Sequence, residues 1–210
     1  MMDIMERYEK LKEKVVDRKV EFAELMSYIE SNTSYMTAPA STKYHLCREQ
    51  GLLEHSVNVA ETLLKIKAVL APEISDESCV IVALLHDLGK AGMPGRPMYI
   101  ENEPSPKEKE AGLPARPPYH INNGLVYLSV PVRGLYLAAS RFPLTEEEVQ
   151  ALVYHDGQYV EDNRSVATRE EKLTLLIHFA DAWSGFVIEK EKGSVIALVL
   201  KQLNLLQPPS

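Results

Sequence analysis

DESCVIVALLHDLGK, residues 76–90, carries the reading that decides the fold. Residues 79–85 are apolar throughout. Ser75 or Asp76 is a candidate N-cap and Gly89 ends the pattern, so the spacing predicts a helix over about 76–89. A run with no polar face belongs to a helix buried on most sides. Its last turn nevertheless carries His86 and Asp87. An ionised carboxylate buried without a partner is costly. A divalent cation removes that cost, taking imidazole nitrogen and carboxylate oxygen together and holding both deprotonated. Adjacent helix residues point about 100° apart. Both therefore reach one ion only near the helix end, and further ligands must come from other helices.

Two other apolar helices offer them. GLLEHSVNVA (51–60) places His55 on a helix expected over 52–70, and LLIHFADAW (175–183) places Asp181 on one expected over 168–189, with Thr168 and Glu171 as its capping box. Four ligands from three helices, with positions open to water and substrate, is the layout of a catalytic rather than a closed structural site.

Outward from this centre, residues 2–30 read as one long amphipathic helix, with Ile4, Tyr8, Leu11, Val15, Phe22, Leu25 and Ile29 at helical spacing. Residues 31–42 form a loop, and further helices are expected over 132–141, 145–155 and 194–206. Thr145 and Glu148 form a second capping box. The Pro- and Gly-rich stretch 91–131 holds the charged run PKEKE, and MYIEN, PYHI and LVYLS within it alternate in the β manner. A small hairpin is expected near 95–130, placed as a lid over the site. The class is all-α with one short β insertion, and the 210 residues suit a single domain.

A hydrophobic fraction of 45 % and a charged fraction of 25 % are those of an ordinary globular protein. The net charge of −7 repels phosphate backbones at long range, so nucleic acid is a disfavoured partner. Cys47 and Cys79 are too few for a disulfide framework. They are expected as reduced thiols in a cytoplasmic protein. No apolar run is long enough to span a bilayer.

The ordered set His55, His86–Asp87 and Asp181 resembles the signature of the HD superfamily of metal-dependent phosphohydrolases. APASTKYH (38–45), GLLEHS (51–56), HDLGK (86–90), FPLTEEE (142–148) and HFAD (178–181) resemble a phage and bacterial HD branch, and the resemblance runs from about 38 to 185. It implies an HD-type helical bundle with one or two divalent ions (Mn, Fe, Co, Ni or Zn), Asp87 bridging if there are two. It implies activity on a phosphomonoester or phosphodiester, most naturally a nucleotide. The alternative is a catalytically weak metal- or nucleotide-binding regulatory module. The N-terminal and C-terminal helices could close the core or pair two copies as a homodimer.

Two departures from the family pattern matter. Lys90 stands where the small 5′-nucleotidase branch carries an acid tied to catalysis, so a phosphate clamp is expected here instead. Val130 and Pro131 stand where two-metal relatives carry His-Gly, which favours a single ion. His155, in VYHDG (153–157), is then expected as a phosphate contact, a general acid or a further ligand, oriented by Asp156. His45 and Arg48 are the candidate substrate contacts at the pocket mouth. His178 is expected to support a ligand rather than to be one.

Overall fold

The computed structural model describes residues 3–190. Eight helices and a two-stranded sheet account for most of them: α1 Ile4–Lys12, α2 Lys19–Asn32, α3 Gly51–Leu70, α4 Asp76–Leu85, β1 Tyr99–Glu101, α5 Pro106–Glu110, β2 Tyr119–Ile121, α6 Val130–Ala139, α7 Glu146–Tyr154 and α8 Lys172–Trp183. The helix expected over 194–206 lies outside the described residues. No helix among them is long and apolar enough to cross a membrane. Both cysteines are free, Cys79 buried and Cys47 half-buried.

The centre of the bundle is α3 against α4, with α8 packed on α3 and α7. The apolar run 79–85 is buried along its whole length, as its composition predicts. Each fully buried Leu or Ile there contributes about 2–3 kcal/mol. Ser75 caps α4, its hydroxyl accepting the Ser78 N–H. Buried apolar residues from Tyr8 to Ala180 form one continuous cluster.

Three element boundaries differ from the sequence reading. The helix expected over 2–30 is two helices, broken at residues 13–18. The break has a tertiary cause: Glu77, in the first turn of α4, accepts the backbone N–H groups of Val16 and Asp17 at 2.8 Å each and the Arg18 Nε–H at 2.7 Å. Likewise α8 starts at Lys172, and Thr168 sits in the left-handed region (φ 68°) instead of capping it. The cap comes from α7, where the Gln150 Oε1 accepts the Glu171 N–H and the Thr174 hydroxyl. The Thr145–Glu148 capping box of α7 is present with both reciprocal bonds.

Gly89 provides the third difference. The α-helix ends at Leu85, and Gly89 lies in a 3₁₀ turn, Leu88–Ala91. What requires glycine is close approach: a Cβ there would lie 2.1 Å from the Val130 carbonyl oxygen, at the start of α6. That atom is backbone and cannot swing aside. Gly89→Ala is expected to destabilise the fold by about 3 kcal/mol, read as a lower urea midpoint at unchanged slope. An unchanged midpoint would contradict this packing.

The insertion contains the expected hairpin. β1 and β2 pair antiparallel, Tyr99 with Ile121, Ile100 with His120 and Glu101 with Tyr119. LVYLS (125–129) forms no strand. The run PKEKE is the short helix α5, opened by a Ser105–Glu108 capping box.

Candidate metal centre

Three helices deliver the four expected ligands to one place. His55 projects from the buried first half of α3, His86 caps α4, Asp87 follows it, and Asp181 lies near the end of α8. His55 Nε2 is 3.0 Å from Asp181 Oδ1, 3.3 Å from His86 Nε2 and 3.6 Å from Asp87 Oδ2. His86 Nε2 is 3.5 Å from Asp87 Oδ2 and 4.0 Å from Asp181 Oδ1. Donors about 2.0–2.2 Å from one cation and about 90–110° apart lie roughly 2.9–3.6 Å from each other. Four of the five distances given fall in that range, and the fifth, His86 to Asp181, is wider.

The imidazoles are already turned for the purpose. His86 Nδ1 lies 2.7 Å from the Ala83 carbonyl oxygen and can only donate to it, which leaves the Nε2 lone pair facing the cluster. His155 repeats the device: Nδ1 donates to the Leu152 carbonyl at 2.9 Å, and Nε2 faces Asp87 Oδ1 at 3.8 Å and Asp156 Oδ2 at 3.7 Å. His55 Nδ1 meets a carboxylate absent from the sequence reading, Glu189, at 2.9 Å.

The electrostatics show what such a cluster lacks. Burial drives the His55 pKa down, but the Asp181 and Glu189 carboxylates outweigh it and push it up to about 10. Burial raises the Asp87 carboxyl; the Lys90 ammonium and His86 reverse this and hold it well below the usual carboxylate range. Asp181 is held far below that range by His55, against its burial. The Asp87 and Asp181 carboxylates are thus held anionic beside two imidazoles, a donor set that a divalent cation would satisfy. The residues fit a divalent ion.

Lys90 Nζ donates to Asp87 Oδ2 at 2.6 Å, and that carboxylate keeps it cationic although burial opposes the charge. A cavity of about 250 Å³ opens over the cluster, and His45, His55, Asp87, Lys90, Asp156 and Asp181 all line it. Tyr159, His178 and Phe186 complete much of its wall. No residue of 92–129 is among the lining, so the hairpin flanks the cavity rather than roofing it.

Two candidate residues sit elsewhere. Arg48 is turned away from the cavity and pairs with Glu54, its other contact being the Glu49 carbonyl. His155 is buried behind Asp87 and does not line the cavity. Asp156 faces His155 Nε2, so the Leu152 carbonyl, not Asp156, orients that ring. His178 Nδ1 donates to the His155 carbonyl at 2.8 Å and its ring fills the space where a Gly157 Cβ would stand, pinning the chain just after His155. His45 Nε2 is buried without a hydrogen-bond partner among the described residues; Glu189 Oε2 is 3.7 Å away.

The HD domain family model matches residues 52–113. This match supports membership of the HD superfamily. That superfamily comprises metal-dependent phosphohydrolases, and HD domains bind divalent metals. The matched stretch of this HD domain holds His55, His86, Asp87 and Lys90; Asp181 lies beyond it and joins them through the packing of α8 on α3. No curated protein and no solved structure matches the chain.

Proposed function

We propose that this HD protein is a metal-dependent hydrolase of a phosphomonoester or phosphodiester, with a nucleotide as its substrate class. The observation that carries the reading is the convergence of four side chains beside a cavity: a carboxylate oxygen each of Asp87 and Asp181 lies within 4.0 Å of both the His55 and the His86 Nε2, and His55, Asp87 and Asp181 line the cavity. These four would hold one divalent ion of Mn, Fe, Co, Ni or Zn, because mixed imidazole and carboxylate donors do not choose among them. The ion, when bound, supplies Lewis acidity toward a phosphoryl oxygen and toward water.

The protein's own groups do the rest. Lys90 keeps its charge through Asp87 and donates to the phosphate oxygens. His45 is kept neutral, first by burial and then by repulsion from His55. It can exchange a hydrogen bond with the ester or the leaving group without adding charge. His155 faces Asp87 and Asp156 from behind and belongs to two adjoining donor groups, one with His86 and Asp87 and one with Asp156 and Asp181. Tyr159 and Phe186, both exposed, offer ring faces to a base. Arg48 is given no substrate contact, since Glu54 holds it.

A second reading, a regulatory module that binds metal or nucleotide without turnover, draws on Val130 and Pro131, which bring no imidazole to the start of α6. One experiment separates the two. The purified full chain, loaded in turn with each candidate metal, is screened for phosphate release from nucleoside monophosphates, cyclic nucleotides and short oligonucleotides. Release that a chelator abolishes and added metal restores is expected. Metal binding without release from any substrate would favour the regulatory reading, and absence of metal binding would reject both.

A further inference from the structure

Asp181 and Glu189 grip one imidazole from opposite sides. Asp181 Oδ1 is 3.0 Å from His55 Nε2, and Glu189 Oε1 is 2.9 Å from His55 Nδ1. The two acids are eight residues apart at the end of the same helix. On a continuous α-helix, at about 100° per residue, Glu189 would point roughly 80° away from Asp181. Between them lies a π-helical turn, Ser184–Ile188, closed by the Glu189 N–H on the Ser184 carbonyl. A π turn advances about 82° per residue. Three α steps and five π steps therefore bring Glu189 to within about 10° of the direction of Asp181. The wider turn is what sets both carboxylates on the face that meets α3.

Glu189 is nearly wholly buried, at 3 % exposure, and a carboxylate there needs partners. It has two from α3: His55 Nδ1, and Asn58 Nδ2 at 3.1 Å. Asn58 also accepts from Arg7 Nη2 at 3.0 Å, which ties the support to α1. A carboxylate on the distal nitrogen of a ligand imidazole fixes its tautomer and ring orientation and strengthens it as a donor.

We propose that Glu189, carried beneath His55 by the π turn and braced by Asn58, is the positioning residue that commits His55 to bind metal through Nε2. This rests on the metal reading above and adds to it the group that tunes one ligand. Zinc affinity, measured by competition with a chromophoric chelator, is the test. Glu189→Ala is expected to weaken zinc binding by about 10–100-fold. Glu189→Gln, which still accepts the Nδ1 proton but lacks the charge, is expected to fall between that variant and wild type. A role in folding alone would lower thermal stability and leave zinc affinity of the folded protein unchanged.

The zinc-loaded wild type supplies a check that no variant's folding can obscure. Its ¹⁵N-histidine spectrum is expected to show His55 coordinated through Nε2, with a hydrogen-bonded proton on Nδ1. Coordination through Nδ1, or equal zinc affinity in the glutamine and alanine variants, would overturn the role of Glu189 alone. Absence of zinc binding by the wild type would overturn the metal reading and this role with it.

Discussion

Asp87→Ala is expected to lose bound metal and phosphate release together, with turnover falling by roughly 10³-fold or more, the scale on which groups stabilising transition-state charge act. Asp87 is the hub of the cluster: Oδ2 faces His55, His86 and the Lys90 ammonium, while Oδ1 faces His155. Alanine would remove a ligand and also strand Lys90, whose side chain is only 18 % exposed. Removing one partner of a buried pair leaves the other charge uncompensated, and because Lys90 keeps some contact with water the loss is expected at about 2–3 kcal/mol. Asp87→Asn separates the two consequences. It keeps the shape and an acceptor for Lys90, so its melting temperature should lie closer to wild type, but it lacks the charge that holds a cation. Metal content, phosphate release and thermal melts on the three proteins check this. An alanine variant that keeps both metal and turnover would contradict the proposed chemistry.

The largest expected effect on stability lies far from the site. Arg18→Ala is expected to cost about 3–5 kcal/mol, read from urea unfolding. The Arg18 guanidinium forks onto Glu148, with Nη1 at 2.8 Å and Nη2 at 2.6 Å, and its Nε binds Glu77 at 2.7 Å. It also lies over the Phe142 ring. Glu148 is fully buried, so loss of Arg18 strands a carboxylate at the junction of α2, α4 and α7. Arg18→Lys should recover little, because an ammonium cannot reproduce the fork.

The same contacts predict a pH dependence. Burial raises the Glu77 carboxyl, but Arg18 and the Val16 and Asp17 amides pull it below its ordinary value of 4.5. As pH falls, the unfolded chain therefore takes up this proton before the folded one does. The stabilisation is complete above the unfolded value and drains away as pH drops through the lower folded value. Acid unfolding of Arg18→Ala is expected to be flatter than wild type over this range. Parallel curves would show that Arg18 does not hold Glu77 ionised.

What could be read from the sequence follows from how local its causes are. The convergence of His55, His86, Asp87 and Asp181 was legible because they are charged or polar residues on helices whose neighbours are apolar, a conflict that a shared partner resolves. The α4 cap at Ser75 and the α7 capping box were legible because their partners lie three residues away. The break between α1 and α2 was hidden: the apolar spacing runs on through Val15 to Phe22, without Gly or Pro, and the force that opens the chain is the Glu77 carboxylate about sixty residues on. The start of α8 was hidden in the same way by Gln150. Glu189 reads as part of the charged run EKEK, and its alignment with Asp181 exists only at π pitch. Arg48 was drawn toward the cavity by its place in the chain, but Glu54, on the first turn of α3, takes its charge.

The most direct test is the position of the ion. Crystals of the full chain grown with manganese, with data collected at its absorption edge, are expected to give an anomalous peak about 2.0–2.3 Å from His55 Nε2, His86 Nε2 and an oxygen each of Asp87 and Asp181. A peak coordinated by other residues, or no peak in crystals with manganese in the mother liquor, would contradict the account.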